Sequence, residues 1–254
     1  MRHADERRFE DFFEEDRYVV LKNHLYNYLL RKRLISATIR DVAPKLTLEV
    51  GSGLSPMITG VDNVVYSELS HRALRTLREQ QQGRGKYVVA DCTKMPFRDG
   101  AFGATVCSEV LEHVENDEVA IGELSRVLEA NGSACITVPH RRFYYAADDR
   151  FVRHFRRYEL DELIGKLDAA GLEPKAIKKV LGPLDKAVMY STVMAFSLTH
   201  RAPTGEKRTG RSIHAFLPLF KWANRAIACL AWLDARIVPR ALATVVFVQG
   251  GKRR

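Results

Sequence analysis

The chain has 254 residues, 46% of them hydrophobic and 28% charged, and 40 Lys and Arg against 31 Asp and Glu give it a net charge of +9. This composition suits one elaborated globular domain with a sizeable core and excludes a disordered or collagen-like chain. The basic surplus favours acidic partners such as nucleic acid, anionic lipid or a phosphorylated substrate, and says nothing about fold.

Cys92, Cys107, Cys135 and Cys229 show no CxxC spacing and lie in or beside apolar runs, the pattern of reduced core thiols. No residue set is assigned to a metal. The first stretch, MRHADERRFEDFFEED, is too charged for a signal peptide, and no uncharged run approaches the roughly 18 residues of a spanning helix. A cytoplasmic protein is expected, at most peripheral to the inner face of a membrane.

From about Glu6 to Val42 apolar residues recur at spacings of three and four, so residues 1–43 form a helical cap. Arg31-Lys32-Arg33 reads as a solvated face with favourable charge near the helix C-terminus. LTLEVGSG at 46–53 follows: a buried strand, then glycines at 51 and 53 where the backbone turns sharply. Ser55-Pro56 has the form of a helix start. Strands are expected at Val61–Leu69, Tyr87–Ala90, Phe102–Cys107 and Ser133–Val138, with helices at His71–Gln82 and Glu109–Ala130, the latter ended by Asn131-Gly132. This alternation means right-handed βαβ units: an α/β, doubly wound, mostly parallel sheet.

Pro139–Tyr158 reads as a loop dense in Arg and aromatics. A helix at Leu160–Gly171 and a sixth strand at Leu172–Leu181 follow, and Ala187–Leu198 is helix or strand. A Rossmann-like core is thus expected over 44–182. Residues 183–254 would complete the same domain with helical additions, a basic loop (200–212), an amphipathic helix (216–237) and a last strand (243–249).

Ligands of doubly wound sheets sit at the carboxyl ends of the strands. The first strand ends at Glu49–Gly53. The second ends at Glu68, where a carboxylate can accept from ribose hydroxyls, and the third at Asp91-Cys92, suited to an adenine edge. LEVGSG (48–53), YSEL (66–69) and ADCTKMPFRDGAFGATVCSEVLEHV (90–114) together resemble the class I S-adenosylmethionine-dependent methyltransferases, in particular the small-molecule group that includes quinone-biosynthesis enzymes. The resemblance covers roughly residues 45–180. It implies a seven-stranded sheet with an antiparallel last strand and S-adenosylmethionine as cofactor. Its implied cofactor residues are Glu49, Gly51, Ser52 and Gly53 around the methionyl part, Glu68 and Leu69 at the ribose, Asp91 and Cys92 at the adenine, and Ser108 and Glu109 near the sulfonium.

The acceptor is expected to be a small molecule or lipid-like, with an anionic group if arginines of 138–163 clamp it. His140, His154 and Tyr158 are the candidate catalytic residues, the alternative being that the arginines pair with Asp148, Asp149, Glu159 and Asp161 as a structural cap. His113, placed one helical turn after Glu109, reads as positional. Three other readings stay open. The basic aromatic 140–158 segment would suit an RNA methyltransferase. A nicotinamide-dependent oxidoreductase would want a third glycine where Pro56 stands. The 216–237 helix, with Trp222, Trp232, Lys221 and Arg225, packs either on its own core or on an anionic membrane.

Overall fold

A computed structural model describes residues 21–42, 46–199 and 211–253. The expected helix start near Glu6, Pro44 and most of the 200–212 loop lie outside these residues. The strands are β1 (Thr47–Val50), β2 (Val64–Glu68), β3 (Lys86–Val89), β4 (Phe102–Ser108), β5 (Leu128–Pro139), β6 (Leu172–Leu181) and β7 (Val245–Lys252). They form one sheet in the order β3-β2-β1-β4-β5-β7-β6. The pairs from β3 through β5 are parallel, whereas β7 runs antiparallel to both β5 and β6, so the seven-stranded doubly wound sheet with an antiparallel last strand is present.

The helices are α1 (Tyr26–Val42), α2 (His71–Gln80), α3 (Asp117–Val127), α4 (Ala147–Phe151), α5 (Leu160–Ala169), α6 (Pro183–Thr199) and α7 (Arg211–Ile237). Alternation along the strands feeds two cores. Val65, Ile136, Val246 and Val248 face α3 and α5, through Ile121, Leu124 and Leu163. Val64, Tyr66, Cys135 and Phe247 face α1, α2 and α7, through Ile35, Leu74 and Ala231. The ambiguous 187–198 stretch is helical, within α6.

Four expectations need correction. No helix follows β1: residues 51–60 are turns, and the Met57 and Ile58 N–H groups bond the Glu49 carboxylate at 2.6 and 3.0 Å. Tyr28 and Ser36 of α1 hold the same loop by donating to Pro56 O and Met57 O. The helical cap thus fills the layer that a crossover helix would have occupied, packing Tyr28 and Ile35 with Met57 and Ile58.

The expected helix 109–130 is split into a single 3-10 turn, Leu111–His113, and α3. Glu109 has φ +54°, so it and His113 do not share a helical face. Arg126 fixes the end of α3, bonding Glu123, Asp99, Phe97 O and Met95 O. Asn131-Gly132, read as the helix stop, lies instead in a bulge of β5, between the pairs Phe102–Leu128 and Ala104–Ser133. Among the cysteines, Cys107 and Cys135 are buried but Cys229 is exposed on α7, contrary to a core role for all four.

Candidate functional site

Every candidate cofactor residue except Glu49, which lies within β1, falls at or just beyond the carboxyl end of a strand. Gly51 and Gly53 have φ of +65° and +51°, a conformation only glycine adopts without strain. A Cβ on Gly51 would stand 2.4 Å from Val110 Cγ2, so the turn is pressed against the segment that follows β4. Glu68 reaches back to the turn: Oε2 accepts from Gly53 N at 3.0 Å, and Oε1 from Leu69 N at 2.8 Å and Ser70 N at 3.3 Å. Burial raises its pKa against these three N–H bonds. Three of about four acceptor positions are used, so this geometry leaves Glu68 one hydrogen bond for a ligand hydroxyl rather than two.

Asp91 turns one oxygen onto Thr93 N and Oγ1 at the exposed end of β3. Burial pushes the neighbouring Cys92 thiol up to about 12, which keeps it protonated and apolar. The hydroxyls of Ser52, in the turn after β1, and Ser67, one residue before the end of β2, are buried without a hydrogen-bond partner. Orphaned hydroxyls beside a side-chain-free turn fit a polar adenosine-type ligand.

Glu49 supports the turn from below. Burial pushes its carboxyl up to about 7, opposed by the Met57 and Ile58 N–H bonds and by Lys32. The folded chain therefore holds this proton more tightly than the unfolded one. The group's contribution to stability is complete below about pH 4 and is lost as pH rises to about 7. Glu49→Gln is expected to remove a decline on the order of 3 kcal/mol over that window, read from urea midpoints at several pH values.

Beyond the crevice lies a cavity of about 70 Å³ between β5, α1, α4 and α6. Arg31, Glu109, Asp149, His154, Arg157 and Asp185 are among its lining residues. Asp149 organises it, accepting from His154 Nδ1 at 2.9 Å, Arg157 Nε at 2.8 Å, Lys186 Nζ at 2.8 Å and Ala146 N at 3.0 Å. Burial opposes its ionisation, yet the His154 bond and the Arg157 and Lys186 charges hold its pKa well below the ordinary range. An ionised Asp149 fixes the proton of His154 on Nδ1 and leaves Nε2 turned away from it.

The other two catalytic candidates sit elsewhere. His140 is 1% exposed, its Nδ1 bonds Ala243 O at 3.0 Å, and burial lowers its pKa, which keeps it neutral. Tyr158 is in the core and donates to Asp117 Oδ2 at 2.7 Å. Neither lines the cavity. The arginines of 140–158 mostly turn to acids: Arg141 to Glu159, Arg142 to Glu162, Arg156 to Asp117 and Arg157 to Asp149. That paired arrangement is a structural cap, with Asp117 and Glu162 in place of the expected Asp148, which pairs with Lys186 instead, and Asp161.

The residue that pattern reading missed is Arg31. The sequence pattern puts it on a solvated face, but it lines the cavity and donates to Ser108 Oγ at 3.4 Å; among the described residues it forms no ion pair. Lys32, next to it, bonds Tyr28 Oη and Pro56 O, so only Arg33 of the three is exposed. A cation facing the carboxyl end of the sheet was detectable only by knowing where α1 docks.

Residues 48–136 match the family model described as "Methyltransferase domain". A malonyl-[acyl-carrier protein] O-methyltransferase of Legionella pneumophila is 30% identical over 104 residues, covering 38% of this chain and 37% of that protein. A demethylmenaquinone methyltransferase of Clavibacter sepedonicus is 34% identical over 109 residues, covering 39% of this chain and 44% of its own length. The chain thus spans less than half the length of these curated relatives. A solved SAM-dependent methyltransferase of Thermotoga maritima, described as a possible histamine N-methyltransferase, superposes with a TM-score of 0.59 at 16% identity, with both chains fully covered.

Proposed function

We infer that this protein, whose residues 48–136 form a methyltransferase domain within the class I S-adenosylmethionine-dependent methyltransferase fold, transfers a methyl group from S-adenosylmethionine to a small-molecule or lipid-like acceptor bearing an acidic group. The observation that carries this reading is the order of groups at the carboxyl ends of successive strands, the Gly51–Gly53 turn held by Glu68 and then Ser108 and Glu109, with Arg31 bonding Ser108 and lining a cavity together with Glu109. Gly51, Ser52, Gly53 and Glu68 would hold the methionyl and ribose parts, and Asp91 and Cys92 the adenine. Bound there, the cofactor supplies an electrophilic methyl group. The protein's own contribution is alignment and exclusion of water, which can be worth several kcal/mol. Arg31 would orient the acceptor's acidic group, and His154 lines the same cavity.

The malonyl carrier and demethylmenaquinone acted on by the two relatives are acceptors of this broad kind. A labelled-methyl screen over metabolite, lipid and RNA extracts tests the reading. Label in small acidic or lipid products is the expected result, and label in RNA alone would overturn it. With an acceptor in hand, Arg31→Ala is expected to raise KM about tenfold or more with little change in cofactor affinity, since charge-assisted bonds contribute about 1.5–3 kcal/mol.

The surface of α7 supports a lipid-like acceptor. No helix among the described residues is long and apolar enough to cross a membrane. One face of α7 buries Asn224, Ala231 and Ala235 against α1 and the sheet. Leu219, Trp222, Leu230, Leu233 and Ile237, at helical spacings of three, eight, three and four, form a stripe on the other and are 47–73% exposed. Arg236 stacks over Trp232 at 4.2 Å beside this stripe. Core docking and an unpartnered apolar face therefore coexist in one helix, the second rimmed by the basic charge that suits an anionic membrane. Co-flotation with anionic but not zwitterionic vesicles is expected, and Trp222→Asp with Leu230→Asp should abolish it without lowering Tm. No co-flotation at low salt would contradict the membrane contact.

A further inference from the structure

Beside the acceptor cavity stands a group that the reading above does not use. Glu112 is fully buried in the 3-10 turn after β4, and both its carboxylate oxygens lack a hydrogen-bond partner. Leaving such a group unpaired inside a protein costs several kcal/mol, so it calls for a partner or a neutralising charge. Its neighbours are of metal-ligating type. His154 Nε2 is 3.8 Å from Glu112 Oε1, and the His113 and His154 rings meet edge to face at 4.7 Å. One ligand atom from each of Glu112, His113 and His154 falls within 4.8 Å of the others.

We propose that Glu112, His113 and His154 bind a divalent transition-metal ion of the zinc or cobalt type at the wall of the acceptor cavity. Two imidazoles and one carboxylate form a donor set that such ions favour over magnesium or calcium. Ligand atoms at about 2.1 Å around one tetrahedral ion stand roughly 3.4 Å apart, so the Glu112–His154 pair needs to close by only a few tenths of an ångström. Asp149 supplies the outer support: bonded to His154 Nδ1, it directs Nε2 inward, the carboxylate–histidine–metal arrangement of built sites. Three protein ligands leave a coordination position open. It adjoins the cavity because His154 belongs to both, so an acceptor oxygen placed there would be polarised by the ion.

Titrating the dialysed full-length protein with Zn²⁺ by calorimetry tests the site, with the visible spectrum of the Co²⁺-loaded protein as a second readout. One saturable ion per chain is expected, with Co²⁺ bands typical of imidazole ligation. Glu112→Gln and His154→Asn should each weaken binding about 100-fold, and Asp149→Asn about 10–100-fold. No saturable binding by the wild type overturns the proposal, and this outcome needs no variant to fold. Binding undiminished in Glu112→Gln and His154→Asn, each with wild-type circular dichroism, overturns it equally. Titration with S-adenosylmethionine in the same preparation reads the cofactor site independently, so failure of the metal site and failure of the methyltransferase reading are distinguishable.

Discussion

Gly51→Ala is expected to destabilise the protein by about 3 kcal/mol and to weaken S-adenosylmethionine binding more than tenfold. Two effects add. At φ +65° an L-residue costs roughly 1–2 kcal/mol, and a methyl group 2.4 Å from Val110 Cγ2 imposes overpacking typically worth about 1–3 kcal/mol. Gly60 separates them, since its φ is +76° but an added Cβ would meet nothing within 4 Å. Gly60→Ala should therefore show the backbone term alone and leave cofactor affinity intact. The double variant Gly51→Ala, Val110→Ala should recover the steric part and keep the backbone part, a coupling that denaturation midpoints measure directly. Equal losses at Gly51 and Gly60 would show that the contact with Val110 contributes nothing.

Asp149→Asn is the other large expectation. The side chain is buried and faces His154, Arg157 and Lys186, so removing its charge leaves the buried Arg157 without its carboxylate, while Lys186 keeps Asp148. Breaking a buried ion pair in this way costs about 3–5 kcal/mol, which at this chain length lowers Tm on the order of 10 °C. The pH dependence has a definite sign. The folded-state pKa lies well below the ordinary carboxylate value, so the stabilisation is fully present above about pH 4 and is lost as pH falls toward the folded pKa. Below about pH 4 the variant should lack the part of the wild type's acid destabilisation that Asp149 contributes, so its stability should fall less steeply with pH. A wild-type Tm in Asp149→Asn would remove this residue as the organiser of the cavity.

Local pattern located the strands well because each is an apolar run closed by a polar or glycine end: β6 agrees at both ends and β2 at its core. It failed where tertiary contacts decide. Ser55-Pro56 carries helix-start chemistry, but Glu49 captures the Met57 and Ile58 N–H groups and α1 already occupies the layer. The run from Val127 into Leu128 has no break, and only the Arg126 cluster shows where α3 stops and β5 begins. The same limit governs the site. Gly51, Glu68 and Asp91 were legible because strand ends order them along the chain. Arg31 enters from a distant helix, and Glu112 beside His154 is joined by a loop whose path no periodicity encodes.

The crevice at the ends of β1, β2 and β3 is proposed to hold S-adenosylmethionine. Titration calorimetry of the purified protein with S-adenosylmethionine and, in parallel, with NAD tests it most directly. Saturable one-to-one heat with S-adenosylmethionine, none with NAD, and at least a tenfold loss in Glu68→Ala are predicted. Binding of NAD alone, or S-adenosylmethionine binding indifferent to Glu68, would overturn that assignment.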